Sequence, residues 1–247
     1  MPPLDLLDHP FAAAMVLLGF IAGGTAKGLF GLGMPFVGMP VMVFAIPFPT
    51  ALALFLVPNF TANGQQMLAG GNFKRNLKRW FWLYAPMLVI VPFAIQFLVR
   101  IDQSRSILGL GLVSFVFAVL QMFPVAARID PRHERWMNPV VGVVSGLLAG
   151  VSGLYGPVLI IYLMALRLPK DDFVASLSLM YFLGSFAIYG SLAFASVIDL
   201  EVIVVSALGG IIIGAMLIVG QRLRARIDEA RYRKLILVLL MVMGADM

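Results

Sequence analysis

The 247-residue sequence has no cysteine, two histidines (His9 and His133) and only 12 acidic residues. Without cysteine there is no disulfide framework and no thiolate cluster, and two distant histidines leave little for zinc, haem or iron–sulfur ligation. No metal or other cofactor is expected. Charge of either sign is scarce: 12% of residues are charged against 61% hydrophobic, and mean hydropathy is +0.98. Soluble domains carry about 25% charged residues, so this chain has too little polar surface to cover a water-soluble globule. The net charge is +6, but Lys and Arg sit in short runs between long apolar stretches. That pattern argues against nucleic acid as a partner and for a lipid bilayer. The chain reads as an all-α polytopic integral membrane protein.

A hydrocarbon core of about 30 Å takes about 20 apolar residues of helix. Full-length candidates are 11–30, 50–69, 80–99, 106–125, 172–194 and 200–220. Shorter apolar stretches at 34–46, 139–154, 157–168 and 232–244 suit half-helices or tilted spans. The opening MPPLDLLDHP has no Lys or Arg, so it lacks the basic region of a signal peptide, and the first helix is expected to stay in the mature protein. Three basic loops then set the orientation: Lys74, Arg75, Lys78 and Arg79; Arg128, Arg132 and Arg135; and Arg222, Arg224, Arg226, Arg231, Arg233 and Lys234. With Arg167 and Lys170 they place 15 basic residues on one side, against Arg100 and Arg105 on the other. The positive-inside rule makes the first side cytoplasmic and puts the N-terminus outside. The expected location is the plasma membrane, in a bacterium the cell inner membrane.

The sequence repeats itself. Gly28-Leu29-Phe30-Gly31 matches Gly153-Leu154-Tyr155-Gly156 at an offset of 125; Pro35, Pro47 and Ala53 match Pro157, Pro169 and Ala175 at an offset of 122. Internal repeats of this kind outweigh any single motif. In the topology above the first copy starts outside and the second inside, so the expected architecture is two inverted five-segment repeats, 1–125 and 126–247, in a single membrane domain. Secondary transporters use this construction, with substrate near the midplane where broken helices meet. The glycine and proline clusters mark the expected breaks: Gly28, Gly31, Gly33 and Pro35 in the first copy, Gly153, Gly156 and Pro157 in the second. Helix N-termini at such breaks offer amides to an anion.

The paired GLFG…Pro…PxxxAxA and GLYG…Pro…PxxxFxAS stretches resemble the duplicated signature of the sulfite exporter TauE/SafE family of membrane transporters. The resemblance covers both halves. It implies movement of sulfur-containing anions such as sulfite or organosulfonates (sulfoacetate, for instance), most simply by export with alternating access around a central site. The first copy departs from the family pattern where Lys27 interrupts the glycine run and where Asn59 and Asn63 replace small hydroxyl residues.

Lys27 is the sharpest single residue. A Lys within a span costs about 2.5–3.5 kcal/mol on insertion scales and usually faces a cavity or pathway; a snorkelling anchor is the other reading. No Asp or Glu lies in the interior of a span (Asp172 and Glu201 stand at span ends), which leaves room for a substrate anion. Asn59, Asn63 and Gln66, with Thr61 nearby, share a helical face. Ser176, Ser178, Tyr181 and Ser185 occupy the matching helix of the second copy, and Tyr155 sits at its break. Neutral donors suit an oxyanion that must be bound and released, and interhelical hydrogen bonding is the competing use. Gly150-Val151-Ser152-Gly153 has the form of an intramembrane serine-protease motif, but both histidines lie outside the spans, so no base reaches Ser152 and an enzyme is not expected. A permease or channel for another small solute and a non-transport structural membrane protein are the alternatives. The sequence leaves a homo-oligomer open.

Overall fold

A computed structural model describes residues 9–30, 34–69, 73–122, 129–152 and 155–224, and all regular structure among them is helical. The helices are α1 (Pro10–Phe30), α2 (Met34–Met42), α3 (Phe48–Ala53), α4 (Leu56–Ala69), α5 (Phe73–Arg79), α6 (Phe81–Arg100), α7 (Gln103–Met122), α8 (Glu134–Ser152), α9 (Gly156–Ala165), α10 (Lys170–Phe194) and α11 (Leu200–Arg224). Among the described residues four stretches are long and apolar enough to span a bilayer: Pro10–Leu29, Phe81–Arg100, Ala175–Phe194 and Leu200–Gly220. At 1.5 Å per residue, α2 and α9 reach only about 15 Å, half a bilayer core. The expected segment 232–244 lies outside the described residues.

Two expected segments differ. The apolar run 50–69 is not one crossing: it breaks at Leu54 and Phe55 into α3 and α4. Pro58 is the reason, because it offers no N–H to the Leu54 carbonyl and its ring crowds that oxygen. The amide of Phe55 turns back to Leu52 instead, at 3.2 Å. Position 180 of the second copy is Met180, and α10 runs through it unbroken. The stretch 139–154 belongs to a longer helix, α8, whose polar first turn is extended by Glu134. An acidic residue there suits the positive end of the helix.

The chain forms two compact units: 1–58, 101–122 and 196–247 make one, and 59–100 with 123–195 the other. In the first unit α1 carries two glycine faces. Gly19 and Gly23 meet the backbone of α2 at Gly38 and Met34, so α2 folds back along α1. Gly24 and Gly28 meet α11 at Ile213, Met216, Leu217 and Gly220, with numbers rising together, so α1 and α11 run parallel. Phe20 fills the notch left by Gly209. The amide of Val57, at the start of α4, donates to the fully buried Ser206 hydroxyl of α11 at 2.9 Å.

The second unit repeats the scheme with other helices. Gly142 and Gly146 of α8 meet α6 at Leu83, Pro86, Met87 and Ile90, again in parallel. α9 folds back on α8, where the Tyr162 hydroxyl donates to Asn138 at 2.6 Å. α10 runs parallel to α6, joined by the Trp80 indole N–H to Ser176 (2.9 Å) at one end and Gln96 to the Ser191 carbonyl (3.3 Å) at the other.

Backbone approach this close leaves no room for a methyl group. A Cβ on Gly142 would overlap the Leu83 carbonyl, whereas one on Gly190 of α10 would meet nothing. Gly142→Ala is therefore expected to destabilise the folded protein by about 1–3 kcal/mol, and Gly190→Ala to stabilise it by up to about 1 kcal/mol through helix propensity. Thermal unfolding of both variants in detergent checks the pair; equal effects would contradict this packing.

Candidate functional site

The second unit gathers nearly all the polar residues singled out in the sequence. α4 and α10 run antiparallel and exchange side-chain hydrogen bonds: Asn59 donates to the Tyr189 hydroxyl (2.5 Å) and Ser178 to the Gln66 carbonyl oxygen (3.0 Å). Asn63 donates to the Asn59 carbonyl (2.9 Å) and side-chain oxygen (3.3 Å), which orients the Asn59 amide. Ser185 donates to the Tyr181 carbonyl one turn earlier at 2.7 Å. Ser176 is engaged elsewhere, as acceptor for Trp80. Phe60 stacks edge-on against Phe182 and Phe186, so the polar row is flanked by aromatic packing.

Above this row stands the start of α9. Its first residues, Gly156 and Pro157, follow Tyr155, which supplies no side-chain cap. Pro157 has no N–H, so the amides of Gly156 and Val158 are the donors left over at the positive end of the helix. The Tyr155 ring packs on Gly184 and its hydroxyl donates to the Tyr181 carbonyl at 3.0 Å. The Tyr181 hydroxyl in turn lies directly against Gly156, where no larger residue fits. A phenol O–H thus stands beside an uncapped, buried helix N-terminus, an arrangement suited to a small oxyanion.

Lys27 belongs to the first unit. It is 6% exposed and lies in the last turn of α1, where the helix dipole favours a cation. The expectation that Gly28 breaks the helix is corrected: α1 continues to Phe30, and Gly28 is absent a side chain because α11 passes there. Pro35, Gly156 and Pro157 fall in the first turns of α2 and α9. Gly31, Gly33 and Gly153 lie outside the described residues.

Sequence reading missed two features. Tyr189 continues the row Tyr181, Ser185 at four-residue spacing, a signal present in the sequence. The second is a network at the start of α6. Arg79 donates from Nε to Glu134 at 2.9 Å and pairs its second nitrogen with the other carboxylate oxygen. Its guanidinium lies 4.6 Å from the Trp80 ring centre. The hydrogen bond with Glu134 raises the Arg79 pKa further above its usual value. Arg75 pairs with Asp172 at 2.6 Å. These pairs join α5 to α8 and α10 at one end of the unit.

A family model described as sulfite exporter TauE/SafE matches residues 15–247. No curated protein matches the chain. No solved structure matches it either.

The fit of Tyr181 into the Gly156 notch is testable by paired substitution. Gly156→Ala is expected to displace Tyr181 and lower stability by about 1–3 kcal/mol. Adding Tyr181→Phe, which removes the colliding hydroxyl, should restore part of the loss. A double variant whose unfolding equals the sum of the two single effects would separate the residues.

Proposed function

This chain belongs to the sulfite exporter TauE/SafE family, and we propose that it is a secondary transporter that moves sulfur-containing anions, sulfite or organosulfonates, out of the cell across the plasma membrane. The observation that carries the reading is the Tyr181 hydroxyl beside the uncapped start of α9. A sulfite or sulfonate group there takes the amides of Gly156 and Val158 and the phenol O–H. Asn59, Asn63, Gln66, Ser178 and Ser185 form the neutral polar row that follows it, Tyr155 fixes the Tyr181 backbone, and Ser176 steadies Trp80. Lys27, buried in the last turn of α1, is the cation assigned to the anion in this proposal.

Inverted repeats and alternating access are part of the same proposal. The parallel glycine-faced pairs α1/α11 and α8/α6 support them, because each joins the first helix of one copy to a late helix of the other. Gly24 and Gly146 stand 122 residues apart, the offset of Pro35 and Pro157. Each first helix also carries a folded-back half-helix, α2 or α9. The basic ends of α5, α8 and α10 then face the cytoplasm and the N-terminus lies outside.

Proteoliposome flux of sulfite, sulfoacetate, taurine, thiosulfate and sulfate, with a carboxylate control, tests the substrate class; preference for the carboxylate would overturn it. A charge-assisted hydrogen bond contributes about 1.5–3 kcal/mol, so Lys27→Ala should weaken anion affinity by roughly 10- to 150-fold. Lys27→Arg should fall between, its charge kept and its donors displaced. Unchanged transport by Lys27→Ala would make Lys27 an anchor. Since the sequence has no native cysteine, single-cysteine labelling is clean: Lys74→Cys should react only from the cytoplasm and Gln103→Cys only from outside. The reverse pattern would invert the orientation.

A further inference from the structure

We propose that the basic end of the second unit is a binding site for the headgroup of an anionic phospholipid. The Arg79–Glu134 pair holds the end of α5 to the start of α8, and Arg75–Asp172 and Trp80–Ser176 tie α5 and the α5–α6 junction to α10. Around this end stand, among the described residues, six exposed cations: Arg75, paired with Asp172, and Lys74, Lys78, Arg132, Arg135 and Arg167. Among the described side chains the acidic residues facing them are Glu134 and Asp172, both paired, and the exposed Asp130, whose carboxylate accepts from the Arg132 amide. Positive charge is in excess.

One turn into the helices the surface changes. Trp82 of α6 and Trp136 of α8 are 59% and 79% exposed. From Trp82 an exposed apolar stripe continues through Val89, Phe93 and Phe97, and from Trp136 another through Val140, Val144 and Leu147. Counted at the helical step from the faces where α6 and α8 meet, both stripes fall on the same side of this parallel pair. Cations, then amphipathic indoles, then hydrocarbon is the order of a phospholipid: phosphate, interface, acyl chain. Lys78 and Arg135 bracket the phosphodiester, the indoles sit at glycerol depth, and the stripes take the acyl chains.

The test uses the purified, delipidated full-length protein with phosphatidylglycerol or phosphatidylcholine, read by native mass spectrometry and thermal unfolding. Phosphatidylglycerol should be retained and should raise the unfolding temperature; phosphatidylcholine should do neither. Each surface cation contributes roughly fivefold to such binding, so Lys78→Gln with Arg135→Gln should weaken retention roughly 30-fold. Lys78→Arg with Arg135→Lys should keep it. Retention unchanged in the glutamine variant would overturn the proposal. So would glycerol phosphate competing as well as the whole lipid, since that marks a site for free anions. Should the glutamine variant fail to fold, the comparison of the two lipids and glycerol phosphate on the parent protein decides the matter.

Discussion

A backbone amide at membrane depth has no water to bond, so every interruption of a helix must find partners inside the protein. The arrangement of this chain follows from how its interruptions meet that demand. Pro58 breaks the run between α3 and α4, and the freed amide of Val57 is taken by a buried serine hydroxyl from α11, a helix about 150 residues later. That break is closed. The start of α9 is handled differently: Pro157 removes one donor, Tyr155 provides no side-chain cap, and the polar group against Gly156 is the Tyr181 hydroxyl, which can accept as well as donate. In the proposed transport site an oxyanion would complete that end, accepting from the amides and from the phenol O–H together.

Glycine serves two purposes here, and this set the limit of what was legible. The long apolar spans could be read from hydropathy, and the half-helices from the spacing of Gly and Pro. Gly28 was misread because a glycine that permits a break and a glycine that permits close approach look alike in sequence. Only the identity of the neighbour, the Leu217 carbonyl and Gly220, distinguishes them. Pro58 carried the opposite error: it sits inside an unbroken apolar run, where proline in the first turn of a new helix leaves hydropathy unchanged. The polar row on α4 and α10 was legible from helical spacing, since 59, 63 and 66 must share a face. Its partners were not, because which of two faces meets depends on packing between distant segments. The Arg79–Glu134 pair was hidden for the same reason, its members lying in two separate basic loops.

The hydrogen bonds of the row have a further consequence. Asn59, Gln66, Ser178 and Tyr189 are satisfied mainly by one another, through bonds of the neutral kind that contribute only about 1 kcal/mol net. Exchanging such a bond for one to an arriving anion changes little in free energy, whereas leaving any of these buried groups unpaired would cost about 1–3 kcal/mol. In the proposed site the row would hold its shape when no anion is present and yield when one passes, with the Gly156 amide and the Tyr181 hydroxyl as the proposed selective donors. A site built this way would bind weakly enough to release its cargo, which is what a transporter needs.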